Sequence, residues 1–331
     1  MSNNASGEVF YPSYETCNDG ITPQCPVSAT IYGYRPNLGP TILFAVIFSI
    51  CVVLQVVFGI RMKGYAFLAW MFFGVALECT GWWARVALWQ DVWNYAAMIA
   101  SLAGLIIGPS FINGAISVTF KHIILYTGEQ HSKWLRAKWF PVVFIGTDFV
   151  AIFIQAAGAG LSAGATGGAE TDQALLDVSS AILIAGVAFQ LANMILCGAY
   201  LGYVAWNYRK AKQSHSSAGI PSPYDEAKKL DSRTRFRFHV FIAGLCTAYF
   251  TIVIRCAYRV PEMVDGWGGA LMQDEPTFFG LEGTMLAIAC IALTVAHPSF
   301  FFTPMQRKKP RQAREAQSSD GEAEKASREL Q

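Results

Sequence analysis

The chain has 331 residues, 53% of them hydrophobic and only 15% charged, against roughly 25% charged in an average soluble protein. The net charge of +2 hides a very uneven distribution. This composition excludes a water-soluble globular domain, and it excludes an outer-membrane barrel, whose strands run to about 10 residues of alternating polarity.

Seven apolar stretches stand out, at 38–60, 65–88, 95–120, 139–161, 180–206, 238–259 and 277–303. Each is long enough to cross a hydrocarbon core, which takes about 20 residues of helix. Most lack the polar face that a water-exposed helix keeps. The expected fold is all-α: a polytopic membrane protein with seven transmembrane helices.

Residues 1–37 precede the first span. They are polar, carry Pro12, Pro23, Pro26 and Pro36, and show no apolar run of the signal-peptide type, so the first span is expected to do the targeting. Residues 38–305 form the expected membrane domain. Within it, 207–237 reads as a loose connection between spans five and six. Residues 306–331 are charged and poor in apolar side chains, and they are expected to be disordered.

The loops fix an orientation. Lys and Arg number two in 61–64, four in 121–138, eight in 207–237 and seven in the tail, against Arg35 alone on the opposite side. By the positive-inside rule the N-terminus is outside and the C-terminus cytosolic. Trp82, Trp83, Trp89 and Trp93 then mark the outer interface, and Trp134, Trp139 and Trp206 the inner one. Basic stretches at Lys228–Arg237 and Arg307–Arg314 are placed to touch anionic lipid headgroups.

Cysteines divide in the same way. Six lie in spans as small core residues. Cys17 and Cys25 lie in the outer segment, where oxidation allows a disulfide between them, although spacing alone does not fix the pairing. Asn4-Ala5-Ser6 forms a glycosylation sequon. No phosphate-binding loop, CxxC or HExxH is present, so no cofactor and no nucleic-acid partner is expected. His122, His239 and His297 share the cytosolic depth, which leaves an intramembrane metal-dependent hydrolase as a minor alternative.

Six charged side chains lie inside the spans: Glu78, Arg85, Asp148, Arg255, Arg259 and Glu282. Each costs about 2.5–3.5 kcal/mol at the bilayer centre on insertion scales, so each should face the interior and find a partner. Arg85, Arg255 and Arg259 are expected to balance Glu78, Glu262 and Glu282 towards the outer end. Asp148 is near mid-depth with no cation on its own helix, and Gln155 lies two turns further out on the same face. Gly104-x-x-x-Gly108, Gly160-x-x-x-Gly164 and Gly198-x-x-x-Gly202 suit close helix approach, and Pro109 and Pro298 suit kinks.

The segments YGYRPNLG (32–39), ECTGWWAR (78–85), GPSFINGA (108–115), DFVAIFIQAAGAG (148–160), GVAFQ (186–190), IRCAYRVPE (254–262) and EGTMLAIACIALTVAHP (282–298) occur in order at these depths. In them the chain resembles the fungal lipid-translocating exporter family, seven-helix membrane proteins named for resistance to an aminocholesterol. Trp82 or Trp83 stands where the family usually has Tyr. Ser117 and Lys121-His122 replace a Tyr and an Arg, and Glu282 replaces an Asp. The resemblance implies a multi-pass plasma-membrane protein that moves sphingoid long-chain bases or related amphiphiles, with roles in stress or drug resistance, and no enzyme activity. Glu78, Asp148, Gln155 and Glu282 are the candidate substrate-binding residues. A seven-helix lipid-sensing receptor fits the same topology and remains an alternative.

Overall fold

The computed structural model describes residues 2–3, 9–10, 14, 16–17, 20–62, 65–127, 139–166, 173–217, 232–265 and 269–297. The tail 306–331, the stretch 218–231, Trp134, Pro298 and the basic run Arg307–Arg314 lie outside the described residues. Six long helices come first: α1 (Leu38–Met62), α2 (Tyr65–Gln90), α3 (Tyr95–Thr127), α4 (Phe140–Thr166), α5 (Gln173–Ser217) and α6 (Ser232–Asp265). Two short helices follow, α7 (Ala270–Gln273) and α8 (Glu275–Phe278). A π-helical stretch, Phe279–Thr284, then leads into α9 (Met285–Val295). Near the N-terminus, Ser2–Asn3 and Val9–Phe10 form a two-residue antiparallel pairing.

Among the described residues, seven helical segments are long and apolar enough to cross a membrane, the last being Glu275–Val295. Their starts have local causes. Asn37 precedes α1: its carbonyl accepts the Thr41 hydroxyl at 2.6 Å, and its side chain accepts the Gly39 N–H at 3.3 Å. Between α2 and α3, Asp91 accepts the Trp93 N–H at 3.0 Å, and Asn94 caps α3 by accepting the Ala97 N–H at 3.0 Å.

The spans pack in chain order, each against the next, and α9 returns to α1. α3 also reaches α6 across the middle. Phe48, Met71, Ile112, Ile116, Leu245 and Cys290 meet in the core. Val53, Phe153, Leu196 and Val295 are exposed, as a hydrocarbon-facing surface requires. The tightest approach is α2 on α3, where a Cβ at Gly104 would lie 2.5 Å from the Leu77 carbonyl. By contrast, a Cβ at Gly160 or Gly202 would meet nothing within 4 Å, whereas one at Gly198 would lie 2.5 Å from the Tyr249 hydroxyl of α6.

Three expectations change. The connection 207–237 is not loose throughout. α5 continues to Ser217 and α6 already begins at Ser232, because Arg209, Lys210, Ala211, Lys212 and Gln213 are all strong helix formers. Trp82 and Trp93 are not interfacial. Trp82 is 0% exposed, inside a ring of Phe44, Phe48, Phe278 and Phe279, whereas Trp206 is 72% exposed. Trp93 lies under the outer segment and donates its indole N–H to the Cys25 carbonyl at 3.2 Å. The seventh span is interrupted by the π-helical stretch, which the Thr284 hydroxyl ties by donating to the Phe279 carbonyl five residues back, at 2.9 Å. Such stretches concentrate at functional sites, and this one carries Glu282.

Residues 20–37 pack on one end of the bundle, the end that the loop charges lead one to expect outside. Cys17 and Cys25 are joined by a disulfide, with Cα atoms 5.8 Å apart, and bury against Val92 and Trp93. Arg35 donates its Nε–H to the Trp89 carbonyl at 2.6 Å, and the Asn37 N–H donates to Glu275 at 2.6 Å. Gly33 closes this turn with a φ of +67°, a backbone region in which glycine carries no steric cost.

Candidate functional site

The charged residues of the spans separate into three groups. The first is an ion-pair cluster between α6 and the π-helical stretch. Arg255 and Arg259 are one turn apart on α6 and both donate to Glu282, Arg259 at 2.8 Å. Arg259 also pairs with Glu262 at 3.2 Å. Arg255 further donates to the Leu105 carbonyl of α3. Both guanidiniums share one oxygen of this buried carboxylate, Oε1, and so tie α6 to the seventh span, while Oε2 has no hydrogen-bond partner among the described residues.

The second group corrects an expectation. Arg85 meets no carboxylate among the described residues. It donates to the Tyr34 hydroxyl at 2.9 Å, and its guanidinium carbon lies 4.3 Å from the Phe278 ring centre and 4.9 Å from that of Tyr32. The aromatic faces supply the attraction that an anion would otherwise give. Burial pushes the Tyr34 phenol above its ordinary value, an effect partly offset by Arg85 beside it. Glu78, seven residues before Arg85, is thereby left without its expected partner. It is 0% exposed, its carboxyl abuts Gly108 of α3, and neither oxygen has a hydrogen-bond partner among the described residues.

The third group lies deeper. Asp148 of α4 accepts from the Asn113 amide of α3 on one oxygen and from the Asn193 amide of α5 on the other, the latter at 2.6 Å. No ion pair reaches it among the described residues. About 10 Å further out at 1.5 Å rise per residue, Gln155 donates to Gln190 at 3.0 Å, and Gln190 donates to Ser110 at 2.9 Å. Three helices are thus tied by two polar rungs. Asn113 and Ser110 were not singled out from the sequence. Their signal was present, since an amide and a hydroxyl interrupt the apolar third span at the depths of Asp148 and Gln155.

Next to the outer rung is a cavity of about 310 Å³ between α3, α4, α5 and α6. Gln155, Gln190, Arg255 and Arg259 lie on its otherwise largely apolar wall. Of the four candidate substrate-binding residues, only Gln155 reaches this wall. Glu78, Asp148 and Glu282 lie off it. The histidines do not build a metal site: among the described residues, no three His, Cys, Asp or Glu side chains are placed to hold an ion.

Residues 71–305 match the family model described as RTA1 like protein. The chain is 30% identical over 305 residues to the sphingoid long-chain base transporter RSB1 of Saccharomyces cerevisiae, covering 85% of this chain and 78% of the relative. It is also similar to protein RTA1 of the same yeast, 20% identical with 81% and 84% covered, and to yeast protein RTM1, 21% identical with 70% and 66% covered. No solved structure matches it. The chain belongs to the RTA1-like family and is a multi-pass membrane protein with seven apolar helices.

Proposed function

We propose that this member of the RTA1-like family is a translocase that moves sphingoid long-chain bases or related amphiphiles out across the plasma membrane, and that it contributes in this way to resistance against such compounds. The similarity to a yeast protein named as a sphingoid long-chain base transporter supports the substrate class. The observation that carries the mechanism is Asp148, a buried carboxylate that two amides hold and no cation neutralises among the described residues.

A sphingoid base joins an ammonium and two hydroxyls to a long alkyl chain. Its ammonium loses hydration on entering the bundle and needs a carboxylate in exchange. Asp148 offers one without first breaking an ion pair. Gln155 and Gln190, two turns out, offer amide groups to the hydroxyls at a separate point along the path, since the hydroxyls and the amine sit on adjacent carbons. Glu78 is a second carboxylate free of a partner among the described residues, positioned for a later step along the path. Glu282 acts differently in this reading. Its charge is committed to Arg255 and Arg259, so it shapes the path and takes the ammonium only if that cluster opens.

The test is purified protein in liposomes loaded with a fluorescent sphingoid base, scored for transfer between leaflets. Protein-dependent transfer, reduced by Asp148→Asn, is the expected result. Saturable binding without transfer would replace the translocase by a lipid-sensing receptor.

A further inference from the structure

The cavity between α3, α4, α5 and α6 is lined by the cationic ends of ion pairs. Arg255 and Arg259 lie on its wall and no Asp or Glu does. Their partners Glu262 and Glu282 lie off the wall, so an amine placed there would meet the guanidinium ends of these ion pairs first, in apolar surroundings. Arg255 is 3% exposed and is paired through Nη2 with Glu282 and the Leu105 carbonyl. Its Nε has no partner among the described residues. One edge of this guanidinium is therefore committed to the bundle, while the side chain also borders empty space. The Gln155–Gln190 pair adds further amide groups. The remainder is hydrocarbon from Ile99, Ile106, Ile152 and Val187.

We infer that this cavity binds a second class of amphiphile, a phosphate monoester on a long alkyl chain, with its headgroup on Arg255 and Arg259 and its chain along the isoleucine wall. A guanidinium fork matches phosphate oxygens in geometry and charge, and such bonds are roughly twice as strong as those between neutral groups. The apolar wall selects a lipid ester over free phosphate. The inference rests on the proposed lipid-handling role of the chain but assigns a headgroup of opposite charge to a different site from Asp148.

The experiment uses the full chain in phosphatidylcholine nanodiscs with a tail-labelled sphinganine phosphate as probe. Unlabelled sphinganine phosphate should displace it at concentrations at least about tenfold lower than sphinganine does, and millimolar inorganic phosphate should not displace it. Arg255→Lys keeps the charge but loses the planar fork, and Ala103→Phe fills the cavity from α3. Each should weaken probe binding by about tenfold or more while gel filtration shows a monodisperse protein. Equal competition by sphinganine and its phosphate would overturn the inference, as would unchanged binding in Ala103→Phe. Displacement by inorganic phosphate at the lipid's concentration would reduce the cavity to a plain anion site and overturn the lipid assignment. Leaflet transfer of sphinganine separates the two readings. Transfer without phosphate binding removes this inference and leaves the translocase, and phosphate binding without transfer does the reverse.

Discussion

The Arg85 guanidinium lies 4.3 Å from the centre of the Phe278 ring, so a cation on the second span is held by an aromatic face at the start of the seventh. Tyr32 and Tyr34 cover it from the outer segment. Arg85 thus ties three separate parts of the chain together. Arg85→Gln should lower stability by about 2 kcal/mol, the scale of a desolvated cation–π contact. Tyr34→Phe should cost about 1 kcal/mol, the net value of one hydrogen bond. Thermal unfolding in detergent checks both. Equal stability of Arg85→Gln and the parent would show that the ring contacts contribute nothing.

Tyr14 belongs to the same outer assembly, edge-on to Trp93 at 5.3 Å between ring centres. Burial raises its phenol from 10.0 to about 12. A raised value means that the folded state favours the protonated form. The stabilisation is therefore complete below pH 10 and is lost as the pH climbs towards 12. Alkaline titration followed by tryptophan fluorescence should show a late transition in the parent that is absent in Tyr14→Phe. A transition at the ordinary tyrosine value would place Tyr14 in solvent.

The spans were legible because hydrocarbon thickness sets a length that the sequence cannot disguise. Depth was legible too: Arg255, Arg259 and Glu282 read as neighbours and do meet. The partner of Arg85 was not legible, because it comes from Tyr32, Tyr34 and Phe278, and aromatic residues in a membrane protein have many other uses. Trp82 was misplaced for a related reason. Position along a helix gives depth but not which face points inward, and its face is shared with Glu78. The cavity wall depends on how four helices pack, which no local pattern encodes. The π-helical stretch at Phe279–Thr284 left no mark beyond its two glycines.

The loop charges make orientation testable. A tag after Met1 should be reachable from outside intact cells and a tag after Gln331 should not, because Lys and Arg cluster on the opposite set of loops. Labelling of both tags from the same side would leave an even number of crossings and remove one of the seven helices from the membrane.

Asp148 needs a matched control, because its two oxygens both accept from amides. In Asp148→Asn one accepting oxygen becomes a donating NH₂ and faces another donor, Asn113 or Asn193. The variant therefore risks about 1–3 kcal/mol for an unsatisfied buried group as well as the lost charge. Pairing it with Asn193→Asp moves the carboxylate across the rung and restores the match between positions 148 and 193, at the cost of the bond that the Asn193 amide donates to the Phe144 carbonyl at 3.2 Å. Asp148→Asn should abolish leaflet transfer of the sphingoid base. The double variant should recover stability, and it should recover transfer only if charge at this depth is what the substrate needs. Full transfer by a well-folded Asp148→Asn protein would remove Asp148 from the mechanism.

Glu282 is the point where the ion-pair cluster can be dismantled stepwise. Glu282→Gln leaves Arg255 without its carboxylate and Arg259 with Glu262 alone, at 3.2 Å. Stranding a buried charge costs about 3–5 kcal/mol, far more than the pair contributes over an apolar replacement. Arg255→Met alone should be less severe, because Glu282 keeps Arg259 at 2.8 Å. The double variant removes both members of one pair, so its loss should fall below the sum of the two single losses by about 0.5–3 kcal/mol, the range for residues in one network. Unfolding of all four proteins in mixed micelles measures that coupling. Simple additivity would mean that Arg255 and Glu282 do not interact in the folded protein, and the cluster would then rest on Arg259 alone.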